Sequence, residues 1–494
     1  MSRGRWALLG ALLLLAGVVR VHRLGVESLW NDELLSLEAS SGRAPSQWLP
    51  PVGVVAEAVP ELGGLEAAPP WTAVFAAMGD FTHPPLYFVA LRFWREAFGA
   101  SDATARSLSV AAGLLSLLAF FDLARTLHGP TAALWGTALM AWAGPQIRYA
   151  QETRGYTMLL FFGLLAGAAL VRIERDGTSA WRLLVLGLGS LAAVATHYYG
   201  IGVPASLGLY ACVRQRGRAR RQVLGVLASG LILFAAAWGP MLILQVAHAG
   251  TNPLIQESAG GSLTRWVYRV AGLPALLLTA TRDRCSSGPV LAAVAYVLPF
   301  ALSRRRPDLL FWAFWLCLNV GVVAGADLIL GVAQLPWIRY TLLAGPAVYA
   351  LAAALLSRGP AWARHGLPAL AAATCLALLP RVYLPRHPPW RELGDLLSLS
   401  AQPGDVLVLE GQGPGSRYIY RALSHYAYPA ARQVVFVDRR AGPSTLRRLA
   451  RAPSLFWVGG PLGRPQRLLP GAQVMETVKR SEALPWLVRL APGG

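Results

Sequence analysis

Acidic residues are scarce in this chain. Of 494 residues only 25 are Asp or Glu, against 45 Lys or Arg, and charged residues of both signs make up 14%. Soluble domains carry about 25% charged residues, so this composition does not describe one. Cysteine is equally sparse: Cys212, Cys285, Cys317 and Cys375 lie far apart with no CxxC pair. That excludes a disulfide framework and a thiolate metal site, and free buried thiols are expected. The net charge of +20 is nearly all arginine. The arginines punctuate apolar runs and do not interleave with aromatics on one face. Nucleic acid is therefore not an expected partner; the charge reports membrane topology and anionic lipid.

Apolar sequence fills the rest. The chain is 55% hydrophobic with a mean hydropathy of +0.45, and several runs reach the length of a bilayer span. The expected fold is a polytopic α-helical membrane protein. Apolar runs fall near 6–21, 104–124, 131–146, 156–172, 181–196, 198–213, 222–246, 288–303, 309–330, 340–357 and 364–381, or about eleven crossings. Arg3 and Arg5 precede the first run as in a signal peptide, but no small-x-small cleavage site follows before Trp30, so a retained helix is expected.

Three linkers are strongly basic: 172–182, 214–221 and 303–306. Keeping them cytoplasmic puts the N-terminus inside and Asp32 outside. It also makes 83–98 a short amphipathic helix lying at the outer face. The same parity places 146–155, 197–200, 248–287, 331–339 and the C-terminal region outside. Beyond residue 386 the long apolar runs stop. Strands at 405–410, 433–437 and 454–458 alternate with helical stretches at 391–400, 416–427 and 443–451, the pattern of a small α/β domain. The expected organisation is a membrane domain over 1–385, with an outer-face loop at 25–103, and an extracytoplasmic α/β domain over 386–494. The expected location is the cytoplasmic (inner) cell membrane.

Five polar clusters fall on the outer side by this parity. Asp32 and Glu33 follow the first span, with Asn31 or Asp32 able to cap a short helix there. His83 precedes two prolines suited to a helix start. Arg148, Tyr149, Glu152, Arg154 and Tyr156 lie between two apolar runs, where ionisable groups face one another or a polar cavity; Arg148 and Glu152 also have the spacing of a helix ion pair. His197 and Tyr198 end one run, and Arg339 and Tyr340 open another. Arginines, histidine and tyrosines at headgroup depth suit a phosphate. A carboxylate on the same side can deprotonate a hydroxyl or steady an oxocarbenium ion. Together they suit transfer of a sugar from a lipid phosphate to an acceptor.

The motifs Trp30-Asn-Asp-Glu33, His83-Pro-Pro-Leu-Tyr87, Arg106-Ser-Leu-Ser109, Arg148-Tyr-Ala-Gln-Glu-Thr-Arg-Gly-Tyr156 and His197-Tyr-Tyr-Gly200 resemble those of bacterial protein-mannosyltransferase-like and aminoarabinose-transferase-like glycosyltransferases of the GT-C fold, over about residues 1–385. The resemblance implies a polyprenyl-phosphate-linked sugar donor, outer-face catalysis and an inverting single displacement. It implies Asp32, or Glu33 beside it, as the catalytic carboxylate, and His83, Arg148, Arg154 and Arg339 as phosphate contacts. Several relatives carry a second acid, an Asp a few residues further along; here Glu152 is the only acid nearby. The acceptor, whether protein, lipid or glycan, is not implied.

Asp32 and Glu33 could coordinate a divalent ion, but Asn-Asp-Glu is not a spaced Asp-x-Asp, and no obligatory metal is expected. The glycine-rich turn Glu410-Gly-Gln-Gly-Pro-Gly-Ser416 reads as a strand-to-helix connection, since Pro414 and Ser416 spoil a dinucleotide fingerprint. The competing function is a transporter or flippase for an isoprenoid-linked lipid. It would place polar or broken helices at the bilayer midplane, whereas the ionisable residues here sit at helix ends.

Overall fold

The computed structural model describes residues 2–491 apart from 46–48, 57–60, 251–262, 280–292, 332–333, 401–404, 411–413, 428–432, 438–442, 453, 460–472 and 479–485. The chain forms two compact units. The first comprises Met1–Leu24, Thr82–Ala90 and Ala103–Leu384; the second comprises Gly25–Phe81, Leu91–Asp102 and Pro385–Gly494. The loop after the first helix thus groups with the C-terminal region.

The first unit is helical. Among the described residues, seven helices are long and apolar enough to cross a membrane: Arg3–Val21, Asp102–His128, Tyr156–Asp176, Gly217–Ala247, Pro307–Leu330, Ile338–Leu356 and Trp362–Val382. Each covers a run read from the sequence. The 181–196 run is a helix of 17 residues, Ala180–Thr196. The 131–146 run breaks at Ala143 into Pro130–Trp142 and Gly144–Ala150, because Pro145 opens the second piece. The 198–213 run is a 3-10 turn, Tyr198–Ile201, followed by Gly202–Arg214. The 288–303 run lies partly outside the described residues.

One helix departs from the sequence reading. Leu263–Thr279 falls inside 248–287, a stretch expected on the outer side and given no apolar run. Arg265, Arg269 and Pro274 interrupt its hydropathy, yet Leu273 and Leu277 are buried. Tyr349 Oη donates to the Leu277 carbonyl at 2.6 Å. Tertiary packing on one face makes this helix, where average hydropathy does not reveal it.

Aromatic rings centre this unit: Phe311 packs edge-on to Trp312 and parallel to Trp315, and all three are buried. Helix pairs approach through small residues, as hydrocarbon-embedded helices do. A Cβ on Gly189 would stand 3.0 Å from the Phe162 carbonyl oxygen, so the 156–176 and 180–196 helices meet backbone to backbone there. Arg20, buried within the first helix, donates to the Ala141 carbonyl at 3.0 Å.

The second unit carries a five-stranded sheet of β1 (Val406–Glu410), β2 (Gln433–Val437), β3 (Leu455–Gly459), β4 (Gln473–Val478) and β5 (Trp486–Ala491), in the order β2-β1-β3-β5-β4. β1 is parallel to β2 and β3, and β5 runs antiparallel to β3 and β4. Helices Trp390–Ser400, Pro414–Tyr426 and Pro443–Ala450 complete it. The sequence predicts β1 to β3 and the three helices within a residue or two. It misses β4 and β5, whose short runs are interrupted by Glu476 and Arg489.

Irregular backbone in this unit is held by buried guanidinium groups. Arg43 donates to the Gly64 carbonyl at 2.6 Å, Arg92 to that of Ser41 at 3.2 Å and Arg95 to that of Gly63 at 2.6 Å. Carbonyls that no helix or strand satisfies take charged donors instead. Arg92 and Arg95 lie on Leu86–Phe98, the amphipathic helix expected from 83–98.

Candidate functional site

In the second unit the acidic pair opens the helix Asn31–Ser40. The N-cap is Trp30, so neither Asn31 nor Asp32 caps it as expected; both lie in the first turn. Glu33 reaches back instead. It is buried, and its carboxylate accepts from the Trp30 backbone N–H at 3.3 Å, which is the return arm of a capping box. Both acids suit the positive end of the helix. Asp32 stays partly exposed, so the two neighbours differ in role: Glu33 holds the turn and Asp32 meets solvent. Trp30 stacks on His387 with centroids 5.4 Å apart and planes 6° from parallel. Among the described residues no group of three His, Cys, Asp or Glu is placed to hold a cation.

The first unit gathers the cationic motifs. The Arg154 guanidinium meets His83 Nε2. The His83 ring lies 5.0 Å from that of His197, which in turn sits 5.9 Å from Tyr156, 5.3 Å from Tyr199 and 6.0 Å from Tyr340. Arg154 lies over the Tyr156 ring at 5.8 Å, and Arg339 over those of Trp337 at 4.9 Å and Tyr340 at 5.0 Å. Cations on aromatic faces keep their charge with little water.

The two histidines are neutral partners in this set. Burial, then the charge of Arg154, holds His83 well below the ordinary imidazole range. Burial, Arg154 and Arg339 lower His197 to about 3. His197 Nδ1 accepts the Tyr199 backbone N–H at 3.1 Å, which fixes the proton on Nε2. That Nε2 is buried and has no hydrogen-bond partner among the described residues. A buried N–H of this kind is costly unless something accepts from it.

Not every expected contact joins this cluster. Arg148 pairs with Glu152 at 3.5 Å, four residues apart, and lies over the Tyr149 ring at 5.1 Å; Tyr149 packs edge-on to Tyr156 at 5.6 Å. Tyr198 faces another way. It donates to Gln245 and accepts from Trp238 Nε1 at 2.9 Å, and Gln245 Nε2 donates to the His83 carbonyl at 3.2 Å. Tyr198 thus braces the loop that carries His83. Tyr199, which the sequence reading passed over, takes the place at His197. In a 3-10 turn consecutive side chains point about 120° apart, and nothing in His-Tyr-Tyr-Gly says which tyrosine turns inward.

Neither a family model nor a curated protein matches the chain. Solved structures do. ArnT from Cupriavidus metallidurans bound to undecaprenyl phosphate aligns with a TM-score of 0.60 at 16% identity, over 99% of this chain and 98% of that one. Its apo state gives 0.59 at 15% identity over 97% of each. The archaeal oligosaccharyltransferase AglB from Archaeoglobus fulgidus, in complex with an inhibitory peptide and a dolichol-phosphate, gives 0.50 at 10% identity over 93% of this chain and 70% of that one. At such identities the likeness carries the fold, and the chain is a multi-pass membrane protein of the GT-C glycosyltransferase fold.

Proposed function

We propose that this protein is a membrane glycosyltransferase that moves a sugar from a polyprenyl phosphate to an acceptor on the extracytoplasmic side, with inversion. The observation that carries it is the first unit's cluster of Arg154, Arg339 and neutral His83 and His197, in which a buried imidazole N–H lacks an acceptor. A phosphate oxygen supplies what the cluster lacks: negative charge and lone pairs. Two of the fold's solved representatives are described with undecaprenyl phosphate or dolichol-phosphate bound, which supports the lipid class.

The reaction needs one base and one anion pocket. The acceptor hydroxyl gives its proton to Asp32, and its oxygen bonds to the anomeric carbon. The bond from that carbon to the phosphate oxygen breaks, and the polyprenyl phosphate leaves as a stable anion needing no proton. Arg154, Arg339 and His197 Nε2–H stabilise that anion, with Arg148 adding charge beside them. Glu152, tied to Arg148, tunes that arginine and takes no part as a base. Glu33, committed to Trp30, keeps Asp32 at the helix start.

The test is transfer by the purified protein. Presented with polyprenyl-phosphate sugars and envelope acceptors, it is expected to release polyprenyl phosphate in step with glycosylated product. Movement of the intact lipid across a liposome bilayer with no sugar transfer would assign the same residues to a flippase.

A further inference from the structure

The first unit holds a groove of about 950 Å³ that runs away from the cluster above, from Leu86 and Ala195 at its near end to Arg182 at its far end. Its walls come from four helices, through residues such as Leu86, Ala119, Phe162, Ala169, Leu188 and Ala192. It follows the 180–196 helix from Trp181 to Ala195, about 21 Å at 1.5 Å per residue. Along that length it is apolar. Its polar lining is confined to Asp122, Arg172 and Arg182, which with Trp181 stand at one end.

That end is cationic. Asp122 serves both Arg125, at 3.1 Å, and Arg172. Asp176 lies 3.4 Å from Arg182 and 3.8 Å from Arg175. Two carboxylates are thus shared among four guanidinium groups. The nearby acid, Glu174, is engaged by Arg214 at 2.8 Å and Tyr210 at 2.5 Å. The 180–196 helix begins here, adding the positive pole of its dipole. Trp181 is 70% exposed, as an indole at headgroup depth is.

A groove that is apolar along its length and cationic at one aromatic-rimmed end fits a lipid with an anionic head. We propose that it holds an anionic phospholipid of the surrounding bilayer, its phosphate against Arg172, Arg182 and Trp181 and one acyl chain laid along the 180–196 helix. Basic pockets between membrane helices bind such headgroups. The donor phosphate is a different ligand: His197 follows the opposite end of the same helix, fifteen residues from Arg182, or about 22 Å.

Native mass spectrometry of the full-length protein, titrated with phosphatidylglycerol and phosphatidylcholine of matched chains, decides this. The wild type is expected to retain phosphatidylglycerol preferentially and saturably. Arg182→Gln, which leaves the Asp122–Arg172 pair in place, is expected to lower that retention about five-fold without touching phosphatidylcholine. Ala192→Phe, which fills the groove, is expected to lower retention of both. Equal retention of the two lipids by the wild type, or retention unchanged in both variants, overturns the proposal. Displacement of phosphatidylglycerol by a polyprenyl phosphate overturns it too, and gives the groove to the donor's chain.

Discussion

Arg154 and Arg339 differ from most arginines of this chain in what they face. Arg43, Arg92 and Arg95 spend their donors on backbone carbonyls, whereas Arg154 and Arg339 lie on aromatic faces around a neutral imidazole. Arg154→Ala or Arg339→Ala is expected to weaken polyprenyl-phosphate binding by about 1.5–3 kcal/mol, the worth of a charge-assisted contact. Titration of purified variants reads this, and unchanged affinity in both would leave them as snorkelling groups. The histidines make a separate prediction. Each binds its proton less readily folded than unfolded, so below about pH 6.5 the unfolded chain takes up more protons than the folded one. Stability therefore falls as pH drops from there toward about 3, the folded value of His197. His197→Gln is expected to flatten that fall between pH 6.5 and 5 in thermal melts. Equal acid sensitivity in the variant would mean that the ring is hydrated. Residue type was legible in the sequence here, as was the Arg148–Glu152 pair from its spacing, but the direction of Tyr198 was not: it turns to Gln245, a neighbour remote in the chain.

Two short elements set the motifs. The 31–40 helix starts on the Glu33–Trp30 bond, so Glu33→Ala is expected to cost about 1 kcal/mol of stability, measurable in denaturant or thermal unfolding. Glu33→Gln keeps an acceptor and is expected to cost less. Transfer abolished by Glu33→Gln at normal stability would give the base role to Glu33. The second element is the turn after Thr196. A Cβ on Gly200 would lie 2.3 Å from the Ala193 carbonyl oxygen, which leaves room only for glycine at the end of His-Tyr-Tyr-Gly. Gly200→Ala is expected to destabilise by about 1–3 kcal/mol, as overpacking does, and to loosen His197. A melt unchanged within error would mean that the turn gives way at no cost. The capping pattern was not legible, because Asn31 and Asp32 are the better cap residues by type and Trp30 does not fit the Ser/Thr-x-x-Glu signature; nor was the close approach at Gly200, because its partner carbonyl is a tertiary fact.

At the scale of the whole molecule, long uniform runs were legible because a 20-residue apolar stretch has one meaning in a bilayer. The 263–279 helix was not, since its arginines and proline lower the average while one face packs. The strands β4 and β5 were not either, being short and crossed by charge. The proposed orientation rests on the basic linkers alone. Single cysteines replacing exposed Arg218 and Arg417, in a background with the native cysteines changed to serine, test it. Label applied outside intact cells is expected at 417 and not at 218, and the reverse pattern would invert the topology. The proposed reaction needs a base, and Asp32 is where it is most exposed to test. Asp32→Asn keeps size and hydrogen bonding but removes the proton acceptor. The decisive measurement is single-turnover sugar transfer by purified Asp32→Asn protein alongside its donor affinity. Turnover is expected to fall by about 10²–10⁴-fold with donor binding and melting temperature unchanged; near-wild-type transfer by this variant would contradict the assignment.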